Sequence, residues 1–335
     1  MIKKMLKLLL LAFLIIIAAL ICYLFVGKAP RAEKITWGVD FSQKHARDLG
    51  LDWKKVYLAY LEDLEVKQIK LSTTWDLLEK EKGEYSFSDL DWQIEQAEKY
   101  GAKVILVIGM RTPRWPECHF PDWANNLSKE ERQQAVLKLL GKTVSRYKES
   151  QTVWAWQVEN EPLFPFGECP KPDKKFLKEE TALVKKLDSS VRPIIISDSG
   201  EWSLWLKIAD VGDILGSTLY RRVWMAPLNM YIDYYFPPIY YHRKAEIIRK
   251  FFNKEVIVVE LQAEPWGPEL LYDISLEEQQ KSMTLARFSD NMEFAKKTGL
   301  DTFYLWGGEW WYWLKEKQGD DSFWQEAKKI FQQTN

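Results

Sequence analysis

Two hydrophobic patterns divide the chain. From Leu8 to Val26 nineteen uncharged, mostly apolar positions follow one another without a break. From residue 35 onward the pattern changes to short apolar runs separated by charged amphipathic stretches. The runs predict strands at Ile35–Phe41, Gln68–Thr73, Lys103–Ile108, Val153–Val158, Pro193–Ser197, Ile214–Leu219, Glu255–Val259 and Thr302–Leu305. Apolar residues at helical spacing predict helices between them. These cover Leu51–Leu61, a segment ending at Tyr100 before Gly101, residues 129–147, Asp173–Leu187, Trp202–Ile208, His242–Phe252, Leu276–Lys297 and Ser322–Phe331. A long aromatic connection fills 222–240.

Apolar strands alternating with helices imply a parallel sheet covered on its outer face. Eight such units in about 300 residues fit a closed (β/α)8 TIM barrel, α/β in class. An open doubly wound sheet would want a glycine fingerprint after its first strand, and Gly38-Val39-Asp40-Phe41 supplies none. No repeat or linker divides residues 35–333, which read as one catalytic-sized domain.

The N-terminal run reaches roughly 28 Å as a helix, close to the hydrocarbon thickness of a bilayer. Lys3, Lys4 and Lys7 precede it and favour a cytoplasmic N-terminus. The expected organisation is a cytoplasmic segment 1–7, a transmembrane anchor 8–26, a short stalk 27–34 and an extracytoplasmic domain 35–333. A cleaved signal peptide, giving a secreted form, shares the basic start and apolar run. The run is long for that role, and no small-x-small site follows it. Cys22 lacks the small neighbours of a lipidation site.

Formal charge is −1, from 47 basic and 48 acidic residues. Six of the basic residues and one acidic residue lie before residue 35, which leaves the body at −6. An acidic body without a basic patch argues against nucleic-acid binding. His45, His119 and His242 are scattered and form no HExxH or Cys/His group, so no metal site is expected. Gly307-Gly308 lacks the spacing of a phosphate loop. Cys118 follows the third strand and Cys169 the fourth. Loops after adjacent parallel strands lie side by side, and the expected compartment permits a bridge, so a Cys118–Cys169 disulfide is expected.

Polar residues at the C-terminal ends of barrel strands face the site this fold uses. The fourth strand ends in Glu159-Asn160-Glu161. The seventh runs into Glu260, with Glu264 four residues on. Carboxylates at the mouths of two separated strands suggest an acid pair across the opening, as glycoside hydrolysis requires. Trp75, Trp115 and Trp306 are expected near them, where indole faces suit pyranose rings. Some of these could instead plug the barrel. Trp306, Trp310, Trp311 and Trp313 in eight residues would make an unusual core. Asp198 and Glu309 read as solvated strand ends. His119 is either a substrate contact or ordinary loop polarity.

With these residues in place, the chain resembles the clan of retaining (β/α)8 glycoside hydrolases that includes the cellulase, β-mannanase and β-galactosidase families. Asn160-Glu161-Pro162 resembles the clan's motif after strand four. The resemblance implies that Glu161 is the acid/base and that Asn160 holds the substrate's 2-hydroxyl. It implies Glu260 as the nucleophile, Trp306 as the platform for the sugar at subsite −1, and Tyr220 as the tyrosine that supports the nucleophile. It covers nearly all of 35–333. Lys70, in Lys70-Leu71-Ser72-Thr73-Thr74-Trp75, stands where many members carry an arginine, and Lys is not a bidentate substitute. Arg111 after the third strand is the guanidinium available instead. Glu264 and Glu159 are the alternative nucleophile and acid.

The expected activity is that of a membrane-anchored retaining β-glycosidase working through a covalent glycosyl-enzyme on a carbohydrate substrate, with no cofactor. Its two carboxyls should lie about 5–5.5 Å apart, against about 6.5–9.5 Å for an inverting enzyme. The alternative is an inactive carbohydrate-binding or cell-envelope protein on the same barrel.

Overall fold

The computed structural model describes residues 2–189 and 192–332. Met1 and the last residue of the expected domain, 333, lie outside them. Eight parallel strands close into a barrel: β1 Thr36–Ser42, β2 Gln68–Ser72, β3 Lys103–Ile108, β4 Val153–Val158, β5 Ile194–Asp198, β6 Ile214–Leu219, β7 Glu255–Gln262 and β8 Thr302–Trp306. Each pairs with its successor, and β8 returns to β1 through Thr36 opposite Thr302.

Strand alternation builds two cores. Val104, Leu106 and Ile108 of β3 point outward and join the large apolar layer beneath the helices. Ile105 points inward and meets Ala155, Ile195, Ile257, Val259 and Tyr304 on the barrel axis. Above that plug the inward positions become polar, beginning with Asp40 and Lys70, which are register partners on β1 and β2.

The Lys129–Tyr147 helix has the expected ends because Ser128 and Glu131 form a reciprocal capping box. The expected helix Leu276–Lys297 is instead two, Leu276–Gln280 and Leu285–Lys297. Between them Ser282 is buried and accepts the Trp266 N–H, while Thr284 caps the second helix by accepting from Arg287 N–H. Residues 202–208 are turns rather than a helix. Trp205 takes φ +66°, and Ser203 accepts the Trp205 N–H. The aromatic connection holds an antiparallel hairpin, Arg222–Met225 against Met230–Asp233, and the following helix starts earlier than expected, spanning Pro238–Phe252.

Trp310 and Trp311 also depart from expectation. Both lie in an unforeseen helix, Gly308–Trp313, and are buried; their indole N–H groups donate to Gln279 Oε1 and the Ala263 carbonyl. They are core.

At the N-terminus a helix spans Ile2–Phe25, and its Lys3–Phe25 stretch is long and apolar enough to be a membrane anchor or a signal sequence. The segment expected as a stalk lies along the barrel: Arg31 pairs with Glu293, and the Ala32 N–H donates to the Lys296 carbonyl.

Trp311→Ala should cost about 3–5 kcal/mol of stability, because it empties a sealed indole site. Chemical denaturation of the two proteins measures this. A stability unchanged within error would mean Trp311 is not core.

Candidate active site

The mouth of the barrel is built around Lys70. Its side chain is fully buried, and its ammonium lies 2.9 Å from Asp40 Oδ1, 2.9 Å from Glu260 Oε1 and 3.0 Å from the Val259 carbonyl. Burial alone would lower the lysine's pKa, but the two carboxylates more than offset this and raise it. Burial pushes Asp40 well above the carboxylate range. The other oxygen of Glu260 accepts from Tyr220 Oη at 2.9 Å.

Glu260 reaches this position through an irregularity in β7. Ser217 of β6 pairs with Val258, but the next residue, Thr218, pairs with Glu260; β8 shows the same slip. The extra residue lets Val259 and Glu260 both turn toward the axis, which regular alternation forbids.

Glu161 is delivered by another irregularity. After β4 both Glu159 and Glu161 have positive φ, +60° and +41°. The turn is held by the Asn160 N–H on the Arg111 carbonyl and the Glu161 N–H on Ser197 Oγ at 2.9 Å. The Glu161 pKa is raised well above the usual range, first by burial, then by Glu260 and Glu117. Arg111 opposes the rise and Asp198 adds to it.

Several expected residues serve the site without facing it. Asn160 is 1% exposed: Nδ2 donates one of its two protons to Glu117 Oε2 at 3.0 Å, and Oδ1 accepts from Gln157 and Ser197. Arg111 turns its guanidinium onto the Phe164 and Phe166 carbonyls, fixing the loop after β4. Lys70 is sealed from solvent and acts through Glu260. Asp198 and Glu309 are buried rather than solvated.

Two expected contacts are placed elsewhere. Trp75 is fully buried, bonded to Glu79 Oε2 at 2.8 Å and packed edge-on against Phe120 and Trp123. His119 is 2% exposed; its Nδ1 lies 3.3 Å from Lys44 Nζ. Burial and that ammonium lower its pKa to about 4.

The alternative carboxylates also separate from the pair. Glu159 turns away from the axis, accepting the Met110 and Arg111 N–H groups and pairing with Glu180 beside a flanking cavity of about 370 Å3. Gly109, at φ +128°, leaves it room, since a Cβ there would stand 2.4 Å from Glu159 Oε1. Glu264 is held at about 2. Burial would raise it, but Arg114, with His45 behind it, more than compensates.

Trp115 is half exposed and meets Phe166 edge-on. Phe166 continues to Trp266 at 5.8 Å and Trp266 to Tyr220 at 5.2 Å, an aromatic arc joining the loops after β4 and β7. Trp306 packs with Tyr220, Val223, Tyr234 and Trp266. One of its faces carries the Arg114 guanidinium, 3.9 Å from the ring centroid.

Sequence reasoning missed Arg114 and Glu117. Both belong to the loop that the Cys118–Cys169 disulfide ties to the loop after β4, with Cα atoms 5.3 Å apart. Both have positive φ, which no motif announces. Arg114 bridges Glu264 and Glu309. Glu117 is buried, and burial, with Glu260 adding to it against the pull of Arg111, pushes its pKa up to about 7.

The family model of glycoside hydrolase family 42, described as beta-galactosidase, matches residues 52–190. Xylanase 10B of Thermotoga maritima shares the fold at a TM-score of 0.57 and 16% identity, over 90% of this chain and 97% of that one. The beta-galactosidase of Rahnella sp. R3 matches at 0.60 and 15%, over 92% of this chain and 57% of that one. An exo-beta-1,4-mannosidase from Opitutaceae bacterium strain TAV5 matches at 0.59 and 12%, over 93% and 62%. The resemblance to the barrel glycoside hydrolases is borne out. No curated sequence matches the chain. The matched family model is one of glycoside hydrolase enzymes, the structures share the barrel fold, and this chain spans little more than half of the last two proteins.

Glu117→Gln should shift the pH dependence of turnover. Glu117 gains its charge near pH 7 and thereafter helps Glu161 keep its proton. Removing that charge lowers the Glu161 pKa, so the basic limb moves to lower pH while the acidic limb stays. The kcat/KM profile of the variant decides it. An unmoved basic limb would show that Glu117 does not act on Glu161.

Proposed function

We propose that the protein is a retaining β-glycosidase in which Glu161 is the acid/base and Glu260 the nucleophile. The observation that carries this reading is the contrast between two facing carboxyls. Glu161 is buried, and its burial together with Glu260 and Glu117 raises its pKa, whereas Glu260 accepts hydrogen bonds from Lys70 and Tyr220 on its two oxygens. Environments that separate two carboxyls in this way assign one as acid and the other as base or nucleophile.

In the first step Glu161 gives its proton to the glycosidic oxygen, the bond from that oxygen to the anomeric carbon breaks, and a Glu260 oxygen bonds to the carbon. Glu161, now ionised, then takes a proton from water. The water oxygen bonds to the anomeric carbon, and Glu260 is released. Tyr220 and Lys70 hold Glu260 throughout. The β-galactosidase, mannosidase and xylanase likenesses support β-linked substrates.

Charge narrows the sugar. Asp40, Glu117, Glu161, Glu260, Glu264 and Glu309 surround the mouth, while Lys70 and Arg114 are already paired among them and Arg111 faces carbonyls. No cation is left to receive a uronate among these residues, so the substrate is a neutral sugar. We place the body outside the cytoplasm, with the Lys3–Phe25 helix as its anchor, because Lys3, Lys4 and Lys7 precede the apolar run.

Glu260→Ala should abolish hydrolysis of nitrophenyl β-glycosides, with azide, entering from the face Glu260 vacates, restoring turnover to an α-linked azide product by one inverting displacement. Glu161→Ala should keep glycosylation by such good leaving groups and lose it for poor ones. Proton NMR of the first-formed anomer reads retention directly. Nitrophenyl β-uronides should react at least about tenfold more slowly than neutral glycosides, since like charges meet in the site. Equal loss on good and poor leaving groups, without azide rescue in either variant, would remove these roles.

A further inference from the structure

The junction between the apolar helix and the barrel has no slack. Leu24 is buried, the Phe25 ring lies 5.1 Å from Tyr240 and 6.1 Å from Phe236, and the Arg243 guanidinium sits 4.8 Å from the Tyr23 ring. Beyond the helix the chain is pinned by the Arg31–Glu293 pair, by Ala32 N–H on the Lys296 carbonyl and by Thr36 N–H on Asp301. Whatever the tilt of the helix, its end is fixed to the connection that follows β6.

That connection borders the site. Phe236 lies 6.3 Å from the Trp202 ring, and Trp202 Nε1 donates to Tyr234 Oη at 3.1 Å. Tyr234 packs against the cluster formed by Tyr220, Val223 and Trp306, and its phenol lies within the field of Glu201 and Glu161. Trp202 is therefore two ring contacts from the end of the apolar helix and one hydrogen bond from a residue packed on the cluster of Tyr220 and Trp306. The loop carrying Trp202 is itself held down by Lys244, whose ammonium donates to the Gly200 and Ser203 carbonyls.

These positions have chemical meaning. The acid stands beside the oxygen that departs, so the leaving group lies on the Glu161 side, toward the loops after β4, β5 and β6. Trp306, Lys70 and Glu260 come from β8, β2 and β7 and define the opposite side, where the sugar is attacked. On the leaving-group side Trp202, Leu204, Leu206 and Tyr235 are 58%, 46%, 49% and 85% exposed. Scattered exposed apolar residues need no explanation, but these lie on the two loops next to a fixed membrane exit. Trp and Tyr are the residues that settle at a membrane interface.

We propose that the leaving-group side of the cleft rests on the membrane surface, and that the substrate is an amphiphilic β-glycoside whose leaving group is a lipid alcohol held in the bilayer. The proposal rests on the glycosidase reading above and on the helix as anchor. The bond changes are those of that mechanism: Glu161 protonates the departing lipid alkoxide oxygen, Glu260 bonds to the anomeric carbon, and water completes the cycle.

The test uses the full chain in nanodiscs of phosphatidylcholine and phosphatidylglycerol. Methyl, dodecyl and nitrophenyl β-glycosides of one neutral sugar are compared. The dodecyl glycoside should exceed the methyl glycoside in kcat/KM by at least about tenfold, since the bilayer concentrates it at the cleft. Trp202→Ala should bring that ratio toward one. A ratio near one in the unaltered protein, or unchanged by Trp202→Ala, overturns the proposal. Spin labels at Trp202→Cys and Tyr235→Cys, in a Cys22→Ser background, test the location without turnover. They should show oxygen access and protection from a water-soluble nickel chelate, and labels lying in bulk water overturn it. If no nitrophenyl glycoside is hydrolysed while the labels are protected, the glycosidase reading fails and the membrane contact stands.

Discussion

A single buried ammonium organises the mouth of this barrel. Lys70 has no contact with water, and a charge so placed is costly unless its protons find oxygens. It carries three protons, and Asp40, Glu260 and the Val259 carbonyl supply three oxygens at 2.9–3.0 Å. The three partners belong to β1 and β7, so the lysine of β2 links strands that lie on different sides of the barrel mouth. Losing one partner of such a group typically costs about 3–5 kcal/mol, so selection on stability and on Glu260 placement act on the same contacts. The departure from arginine also follows from this geometry. A planar guanidinium fork does not fit three acceptors gathered around one point, whereas an ammonium does.

Around that fixed point, irregular backbone aims the reactive groups. A regular parallel strand alternates its side chains; Glu260 breaks that alternation, and Glu161 lies in the turn beyond the end of β4. The slip in β7 turns Glu260 inward beside Val259, and the left-handed turn after β4 does the same for Glu161. The loop after β3 adds Glu117 and Arg114, again at positive φ, and the disulfide keeps it against the loop after β4. Strain of this kind persists only where the surroundings over-determine it. Here Asn160, Ser197, Arg111 and the bridge are those surroundings.

The barrel was legible because its strands are apolar runs of strand length, and the Lys129–Tyr147 helix because Ser128 and Glu131 mark its start. The carboxyl pair was legible because strand ends can be placed even when their turns cannot. What escaped depends on side-chain direction and on contacts distant in sequence. Ser282 and Thr284 look like tolerable helix residues until Trp266 claims one and Arg287 the other. Trp310 and Trp311 share a sequence neighbourhood with Trp306, yet a short helix sends them into the core. Trp75 follows β2 as the family pattern requires, but Glu79, four residues on, takes its indole N–H and seals it. Glu117 and Arg114 carried no signal, because nothing in Pro113-Arg114-Trp115-Pro116-Glu117 states which residues adopt positive φ.

The crowding of carboxyls sets how the site works. Had each of the six around the mouth carried its charge, Lys70, Arg114 and Arg111 could neutralise only three. The low-dielectric surroundings would make the remaining repulsion prohibitive. Asp40, Glu117 and Glu161 respond by holding protons to higher pH than carboxyls do in water, each chiefly through burial. Glu264 and Glu260 meet the cations instead. The raised pKa of Glu161 is therefore a product of burial and of the whole cluster rather than of one neighbour. The same cluster explains why Trp306 carries a guanidinium on one face. Arg114 is the counter-ion of Glu264 and Glu309, and the indole gives that cation a surface to lie on while the carboxylates hold it. A sugar using that face must either displace Arg114 or hydrogen-bond to it.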